Sequence, residues 1–149
     1  MPSSRPPRSG REHRPYNAFS ATCPTREVLA LISGKWVCLT LVALDEGDAK
    51  YSSLAARIGG ISHKMLTQTL RALEAHGLVI RTVTPTIPVG VDYGLTDLGA
   101  SLVPVVRAIK GWAETHVEAV RTAKAEYELP AGGGAETAAL VAARLAATD

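Results

Sequence analysis

The sequence predicts a mainly α-helical domain with a small β-hairpin, an α+β fold, and three observations support this prediction. Helical periodicity, interrupted by glycines, fills the chain from Cys23 to His76. From Leu78 the period becomes extended, with β-rich segments on both sides of a loop that contains prolines. Beyond Leu98, apolar residues recur at alternate steps of four and three, which is typical of a helix that packs against a partner helix.

Length and composition limit the class of protein. A chain of 149 residues with 46% hydrophobic and 20% charged residues has room for one globular domain. Its apolar stretches are far shorter than the ~18 residues of a membrane span, and its N-terminus lacks the apolar core of a signal peptide. Cys23 and Cys38 are too few for a disulfide scaffold. We therefore expect a cytoplasmic protein with no membrane partner.

Charge and composition predict three segments. Residues 1–22 hold four arginines, one glutamate and four prolines, and we expect a flexible basic arm or a solubilising leader there. Residues 23–128 are expected to form the folded domain with its long helix. Residues 129–149, with three consecutive glycines and many alanines, are expected to form a linker and a C-terminal helix or tail. The net charge of +2 does not by itself demand a nucleic-acid partner.

Caps and glycines set the bounds of the predicted short helices, which span about 23–32, 35–44, 52–58 and 62–76. Thr22 is predicted to cap the first helix. The second is apolar nearly all round and is expected in the core. Ser62 is predicted to cap the fourth helix, and Gly77 to close it.

A long helix is predicted to follow the hairpin, capped by Thr96 or Asp97. Pro104 lies within its first two turns, so we expect a bend or a later start there. Its apolar stripe, together with the first helix, is expected to form the interface of a homodimer. The predicted interface residues of the long helix are Leu98, Leu102, Val105, Ile109, Trp112 and His116.

Short helices followed by a β-hairpin are typical of a winged helix-turn-helix, here dimerising through terminal helices. One face of the fourth helix is apolar and carries Met65, Leu66, Leu70 and Leu73. The other face carries His63, Lys64, Thr67, Gln68 and Arg71. Arg, Lys, Gln and Thr are side chains that recognise base edges. An ordinary amphipathic surface helix shows the same pattern, so the interpretation depends on the turn before it and the hairpin after it.

Short motifs occur in a specific order between residues 23 and 118. They are Cys23-Pro24, Gly34-Lys35-Trp36, Gly60-Ile61-Ser62, Met65-Leu66-Thr67-Gln68, Leu73-Glu74, Gly77-Leu78, Pro85-x-x-Pro88, Val91-Asp92-Tyr93 and Leu95-Thr96-Asp97-Leu98-Gly99. With these motifs the chain resembles the HxlR-type winged helix-turn-helix regulators, relatives of the multiple-antibiotic-resistance repressors. The resemblance implies a homodimer that binds double-stranded DNA at a pseudo-palindromic operator, with the recognition helix in the major groove and the wing along the backbone or minor groove.

The predicted DNA-binding residues lie on the fourth helix and the wing, and they are Ser62, His63, Lys64, Thr67, Gln68, Arg71 and Arg81. Gln68 and Arg71 are expected to contact base edges, whereas Lys64 and Arg81 are expected to contact phosphates. The wing departs from the family pattern at Gly90, where relatives usually carry Arg or Lys, and at Gly94. The missing cation keeps a second interpretation open, a winged protein–protein interaction module that has lost specific DNA binding.

Cys23 is the candidate sensor of a redox or electrophile signal. Some HxlR-type relatives use a thiol at the matching position, and a helix N-terminus with Arg26 one turn away would favour thiolate. An interface residue without a signalling role is the alternative. Cys38 is expected in the core, and no Cys23–Cys38 disulfide is expected.

The sequence gives little support for other chemistry. The aromatic residues Trp36, Tyr51, Tyr93 and Trp112 are expected in the core or around a pocket for a small-molecule effector. The four histidines lack the spacing of metal ligands, and we find no cofactor motif, phosphate loop or nucleophile–base pair. We therefore expect a transcriptional repressor, relieved by a redox signal or a small ligand, and not an enzyme.

Overall fold

The computed structural model describes residues 16–129 and 143–144, so most of the predicted arm, linker and tail lies outside the described residues. The chain divides into two compact units, residues 1–108 and 109–149. The helices and strands are α1 (Thr25–Ile32), α2 (Lys35–Leu44), β1 (Ala49–Lys50), α3 (Tyr51–Arg57), α4 (His63–Ala75), β2 (Val79–Thr84), β3 (Gly90–Leu95) and α5 (Asp97–Glu128). Helix α5 contributes residues to both units.

The mainly helical fold with a β-hairpin is confirmed, and three of the predicted helix-end residues are in place. The Ser62 hydroxyl accepts a hydrogen bond from the Met65 amide at 3.0 Å, so it caps α4. Gly77 follows the C-terminal cap of α4 with a φ of 71°, a left-handed conformation that favours glycine. The Thr96 hydroxyl accepts a hydrogen bond from the Gly99 amide at 3.0 Å and caps α5.

Three local predictions differ from the structure, wholly or in part. Thr22 does not cap α1, because the helix begins at Thr25 and its flanking residue Pro24 makes no side-chain cap. Helix α3 starts at Tyr51, directly after a strand, and not at Ser52. Helix α5 does not start late but runs through Pro104, which costs one backbone hydrogen bond. Burial of Val103 and Val106 on the same helix offsets that loss.

A third strand, β1, joins the hairpin into a sheet of order β1-β3-β2. Strands β2 and β3 are antiparallel, with Arg81 opposite Tyr93, and β1 pairs on the other side of β3 with Ala49 opposite Tyr93. The sequence did not predict β1, because two residues are too few to show a period. Since α3 follows β1 without a break, the sheet holds the start of the helix-turn-helix beside the wing.

The core of the first unit fixes the orientation of α4. Leu66, Leu70 and Leu73 lie at successive turns of α4 and are at most 1% exposed. They pack in one cluster with residues of α2, including Leu41, and with Val106 of α5. Burial of each leucine stabilises this arrangement by about 1.5–3 kcal/mol. The opposite face of α4 is therefore held outward.

Helix α2 is apolar on nearly all sides because it lies in this core, with six of its ten residues buried. Among the described residues, no single helix is long and apolar enough to cross a membrane. Only α1 and α2 taken together, across a bend of 78°, satisfy the length and composition of a span.

The start of α5 lies against the backbone of the residues that follow α4. The Thr96 amide donates to the Leu78 carbonyl at 3.1 Å, and the Thr96 hydroxyl donates to the Gly77 carbonyl at 2.6 Å. A Cβ atom at Gly99 would lie 2.0 Å from the Leu78 carbonyl oxygen. Only glycine fits at this crossing.

Candidate nucleic-acid interface

The turn between α3 and α4 sets the start of the recognition helix. It runs from Ile58, which is buried, to the cap Ser62, which is exposed. Gly60 adopts a φ of 79°, so the reversal depends on a residue without a Cβ atom. The short turn leads α4 away from α3 with its N-terminus open to solvent.

The outward face of α4 carries most of the predicted DNA-binding side chains. His63, Lys64, Gln68 and Arg71 are exposed, as expected. Met65 differs from its predicted place on the buried face, because it is 36% exposed. Thr69 takes the buried position instead and donates its hydroxyl to the Met65 carbonyl at 2.7 Å.

Thr67 is half-buried, and its hydroxyl already has a neighbour within the protein. The Tyr51 hydroxyl lies 3.2 Å from it and donates to the His63 carbonyl at 2.9 Å. The rings of Tyr51 and His63 also contact each other, with centroids 5.0 Å apart. Through these contacts Thr67 helps to hold α3 against α4. The sequence did not predict this role.

A groove of about 310 Å³ lies between α4 and the wing. It is lined by Thr67, Arg71, Glu74, Arg81 and Tyr93. Arg81 stands opposite Tyr93 in the sheet, so the wing presents its cation toward the recognition helix. The structure thus brings the predicted residues Arg71 and Arg81 together at one groove, although they lie on different elements.

Among residues 16–129, the cations of this face have no ion-pair partner, in contrast to others in the first unit. Arg57 pairs with Glu46, and Arg107 pairs with Asp45 at 2.6 Å. Within the part of the chain that the structure describes, Lys64, Arg71 and Arg81 form no ion pair. Unpaired cations on one surface are what a phosphate backbone requires.

One further exposed cation, Lys50, was missed by sequence reasoning. It directly precedes Tyr51, whose hydroxyl reaches α4, and it stands opposite Asp92 in the sheet. No local signal marks it, because its place depends on the unpredicted strand β1.

The two glycines at which the wing departs from the family pattern differ in their surroundings. A Cβ atom at Gly90 would meet Thr84 and Thr86 at 3.6 Å, an ordinary contact distance. A Cβ atom at Gly94 would lie 2.3 Å from the Asp48 carboxylate. Gly90 therefore leaves room for a side chain, whereas Gly94 accommodates the loop before β1.

Cys23 is half-buried just before α1, and its sulfur lies 2.9 Å from the Thr25 hydroxyl. The Arg26 guanidinium donates to the carbonyls of Ala18 and Phe19 at 2.8 and 3.0 Å. These bonds hold part of the predicted arm against α1. Both cysteines are free thiols.

Cys38 is half-buried against the core, and its thiol donates to the Ile32 carbonyl at 3.2 Å. Burial raises the pKa of this thiol, and a hydrogen bond with the backbone of Cys38 itself partly opposes the shift. A protonated thiol is a weak nucleophile, which agrees with a packing role.

His76 links the end of the recognition helix to α1. Its Nδ1 lies 2.7 Å from the Ala72 carbonyl oxygen, and its Nε2 lies 3.1 Å from a carboxylate oxygen of Glu27. The carbonyl, and then the carboxylate, raise the pKa of His76 above its ordinary value of 6.5.

The residues predicted for the dimer interface are mostly exposed. In the first unit, Leu98 and Val105 are exposed, but Leu102 packs partly against the core, because Val103 and Val106 beside it face inward. The second unit exposes Ile109, Trp112 and His116, and the rings of Trp112 and His116 stack with centroids 4.7 Å apart.

The aromatic residues predicted to line an effector pocket have separate surroundings. Trp36, Tyr51 and Tyr93 pack against the core of the first unit, and the Lys35 ammonium lies 4.5 Å from the centre of the Trp36 ring. Tyr93 also borders the groove beside α4, where its neighbours are mostly polar.

The comparisons with known proteins agree with this geometry. A family model described as HxlR-like helix-turn-helix matches residues 31–121. The chain is 42% identical over 110 residues to the HTH-type transcriptional regulator YtfH of Escherichia coli (strain K12), an alignment that covers 74% of this chain and 87% of that one. The solved structure of transcriptional regulator ytfH from Salmonella typhimurium matches with a TM-score of 0.68 and 40% identity, over 72% of this chain and 96% of that one. The redox regulator HypR in its oxidized form matches with a TM-score of 0.58 and 35% identity, over 62% of this chain and 96% of that one.

Proposed function

The chain belongs to the HxlR-like helix-turn-helix family of transcriptional regulators, and from this premise we propose that it is a homodimeric, sequence-specific DNA-binding repressor whose signal is read at Cys23. The single observation that carries the DNA-binding part is the groove between α4 and the wing, where Arg71 and Arg81 stand together without an ion pair in the described part of the chain.

Specific readout is assigned to the outward face of α4. Gln68 and Arg71 are exposed one turn apart on this face, so both can reach base edges in the major groove. We assign Lys64, near the start of α4, and Lys50, beside Tyr51, to phosphate contacts, because both are exposed cations. Phosphate contacts set the register, and base contacts supply the sequence preference.

Dimer formation is supported by apolar side chains that α5 leaves exposed. Leu98 and Val105 of the first unit, and Ile109 and Trp112 of the second, are each at least 50% exposed. Val28 and Leu29 of α1 are exposed as well. We assign these residues to the interface with a second copy of the chain, because a two-fold dimer presents two recognition helices to successive major grooves.

Cys23 is the proposed sensor because it is a free, half-buried thiol at the edge of α1, which carries part of the proposed interface. Oxidation would join the Cys23 thiols of two subunits, with two electrons and two protons passing to the oxidant. HypR, a similar protein by structure, is named a redox regulator. The bond would change the spacing of the two recognition helices and weaken DNA binding.

Selection of duplexes from a random pool at physiological salt tests the function as a whole. Enrichment of an inverted repeat with half-sites about one helical turn, ~34 Å, apart is the expected result. Failure to enrich any sequence would favour the alternative, a winged module that binds another protein.

Two variants test the finer parts. Ile109→Glu should give a monomer in sedimentation analysis, and a stable dimer would overturn the interface assignment.

The oxidant diamide should weaken operator binding by the native chain and leave operator binding by Cys23→Ser unaffected. Equal responses from both proteins would remove the redox role.

A further inference from the structure

The end of the wing carries no charge and exposes several apolar side chains. No charged residue occurs between Arg81 and Asp92. Ile87 is fully exposed, and Val83 and Val89 are 48% and 65% exposed. We call Val83, Ile87 and Val89 the wing tip. Several exposed large apolar side chains at one end of a hairpin are typical of a surface that contacts another molecule.

The loop that carries Ile87 is held in shape by its own hydrogen bonds. The Thr86 hydroxyl donates to the Pro88 carbonyl at 2.8 Å, and the Thr86 amide donates to the Thr84 carbonyl at 2.8 Å. Prolines at 85 and 88 restrict the backbone further. Ile87 is thus presented outward by a constrained turn.

The wing tip is continuous with the proposed DNA-binding surface. Arg81 borders the groove beside α4, and Val83 follows two residues later on the same face of β2. Beyond Arg81, the strand extends by about 10 Å to Thr84, and the loop adds to this reach. When α4 occupies a major groove, the neighbouring minor groove lies about half a turn, roughly 17 Å, away.

The family resemblance already implies that the wing lies along the backbone or minor groove of DNA, and we propose that Ile87 acts there as an apolar wedge that bends the duplex. This inference rests on the proposed DNA-binding function. Minor-groove proteins use Ile, Leu, Met, Phe or Pro in this way to unstack a base step. In this arrangement the wing contributes to DNA affinity through apolar contact and deformation of the duplex. A cation at the same place would contribute through its charge instead. Sequence preference arises at flexible pyrimidine–purine steps, which are easily kinked.

The wedge is tested with the full chain and a duplex selected by the native protein, labelled at both ends with a donor and an acceptor dye. Energy transfer between the dyes reports the bend. We expect Ile87→Ala to bind about tenfold more weakly, with energy transfer close to that of the free duplex and an unchanged salt dependence. Ile80→Ala is the matched control, because Ile80 is also exposed on β2 but lies at the base of the wing.

A second variant distinguishes the effect of an apolar wedge on DNA binding from the effect of a positive charge. Ile87→Arg should recover affinity at low salt and steepen the salt slope by about 0.9, while the duplex stays unbent. Native affinity and native bending in Ile87→Ala would overturn the wedge alone and leave the proposed DNA-binding function in place. A native chain that enriches no duplex would overturn the proposed function and the wedge together.

Discussion

The hydroxyl oxygen of Tyr51 lies 3.2 Å from that of Thr67 and so joins the two helices of the helix-turn-helix. Tyr51 also donates a hydrogen bond to the His63 carbonyl in the first turn of α4. Because Tyr51 directly follows β1, which pairs with the wing strand β3, one side chain links the wing sheet to the recognition helix. The angle between wing and helix therefore depends on this residue.

Tyr51→Phe should lower the free energy of unfolding by about 0.5–1.5 kcal/mol, the usual contribution of one such hydrogen bond. Operator affinity should fall several-fold, because the first turn of α4 then loses its hydrogen bond from Tyr51 and with it the link to the wing sheet. Tyr93→Phe is the control in denaturant unfolding, since within the described residues the Tyr93 hydroxyl makes no hydrogen bond. Equal losses of stability in the two variants would contradict the role given to the Tyr51 hydroxyl.

Base and phosphate contacts are distinguished by comparing three alanine variants on α4. Gln68→Ala and Arg71→Ala should each cost about 1–3 kcal/mol of binding and relax the preference at one base pair of each half-site. Lys64→Ala should weaken binding to all sequences alike and reduce the salt slope by about 0.9. Titration of the selected duplex and its single-base variants measures both effects. Unchanged affinity and preference in Gln68→Ala and Arg71→Ala would show that α4 does not read DNA.

The pH dependence of stability should contain a contribution from His76. Its pKa is raised in the folded state by the Ala72 carbonyl and Glu27, so the protonated form is stabilised by folding. This stabilisation is fully present below the ordinary value of 6.5 and is lost as the pH rises through the higher folded pKa. We expect the Tm of the native chain to fall relative to that of His76→Gln over this range. If the Tm of the two proteins changes with pH in parallel, protonation of His76 does not contribute to the stability of the fold.

Local signals were sufficient to predict much of the fold. The cap Ser62 and the left-handed Gly77 act on their own neighbours, and both were placed correctly from sequence. The outward positions of Lys64, Gln68 and Arg71 also followed from helical period alone. Each of these features depends on residues within one or two turns.

Features that depend on distant residues were missed. Strand β1 exists only because β3 is available for pairing, and Thr67 is half-buried only because Tyr51 lies over it. Leu102 belongs to the heptad stripe that was predicted for the dimer interface, but its side chain packs partly against the core of the first unit. Hydrophobic periodicity and secondary-structure propensity do not predict these contacts, because the contacts form between segments that are far apart in the sequence.

Two glycines of α5 should respond in opposite directions to replacement by alanine. Gly99→Ala would place a Cβ atom 2.0 Å from the Leu78 carbonyl oxygen, so α5 would have to move. We expect a loss of about 1–3 kcal/mol or more. Gly111→Ala meets no atom within 4 Å and should stabilise the helix by about 0.5–1 kcal/mol. Denaturant unfolding measures both, and tolerance of Gly99→Ala would refute the close crossing.

The absent wing cation can be restored at Gly90. The position tolerates a side chain, because a Cβ atom would make only ordinary contacts at 3.6 Å and the residue does not have a positive φ. Gly90→Arg places a cation on the wing strand that carries the loop, so it should tighten operator binding mainly at low salt. The salt slope should steepen by about 0.9 for one added phosphate contact, with little change in sequence preference. Gly90→Gln is the matched neutral control, since it adds a long polar side chain without charge. If Gly90→Gln tightens binding as much as Gly90→Arg, the gain does not come from charge and the wing does not lie near the DNA backbone.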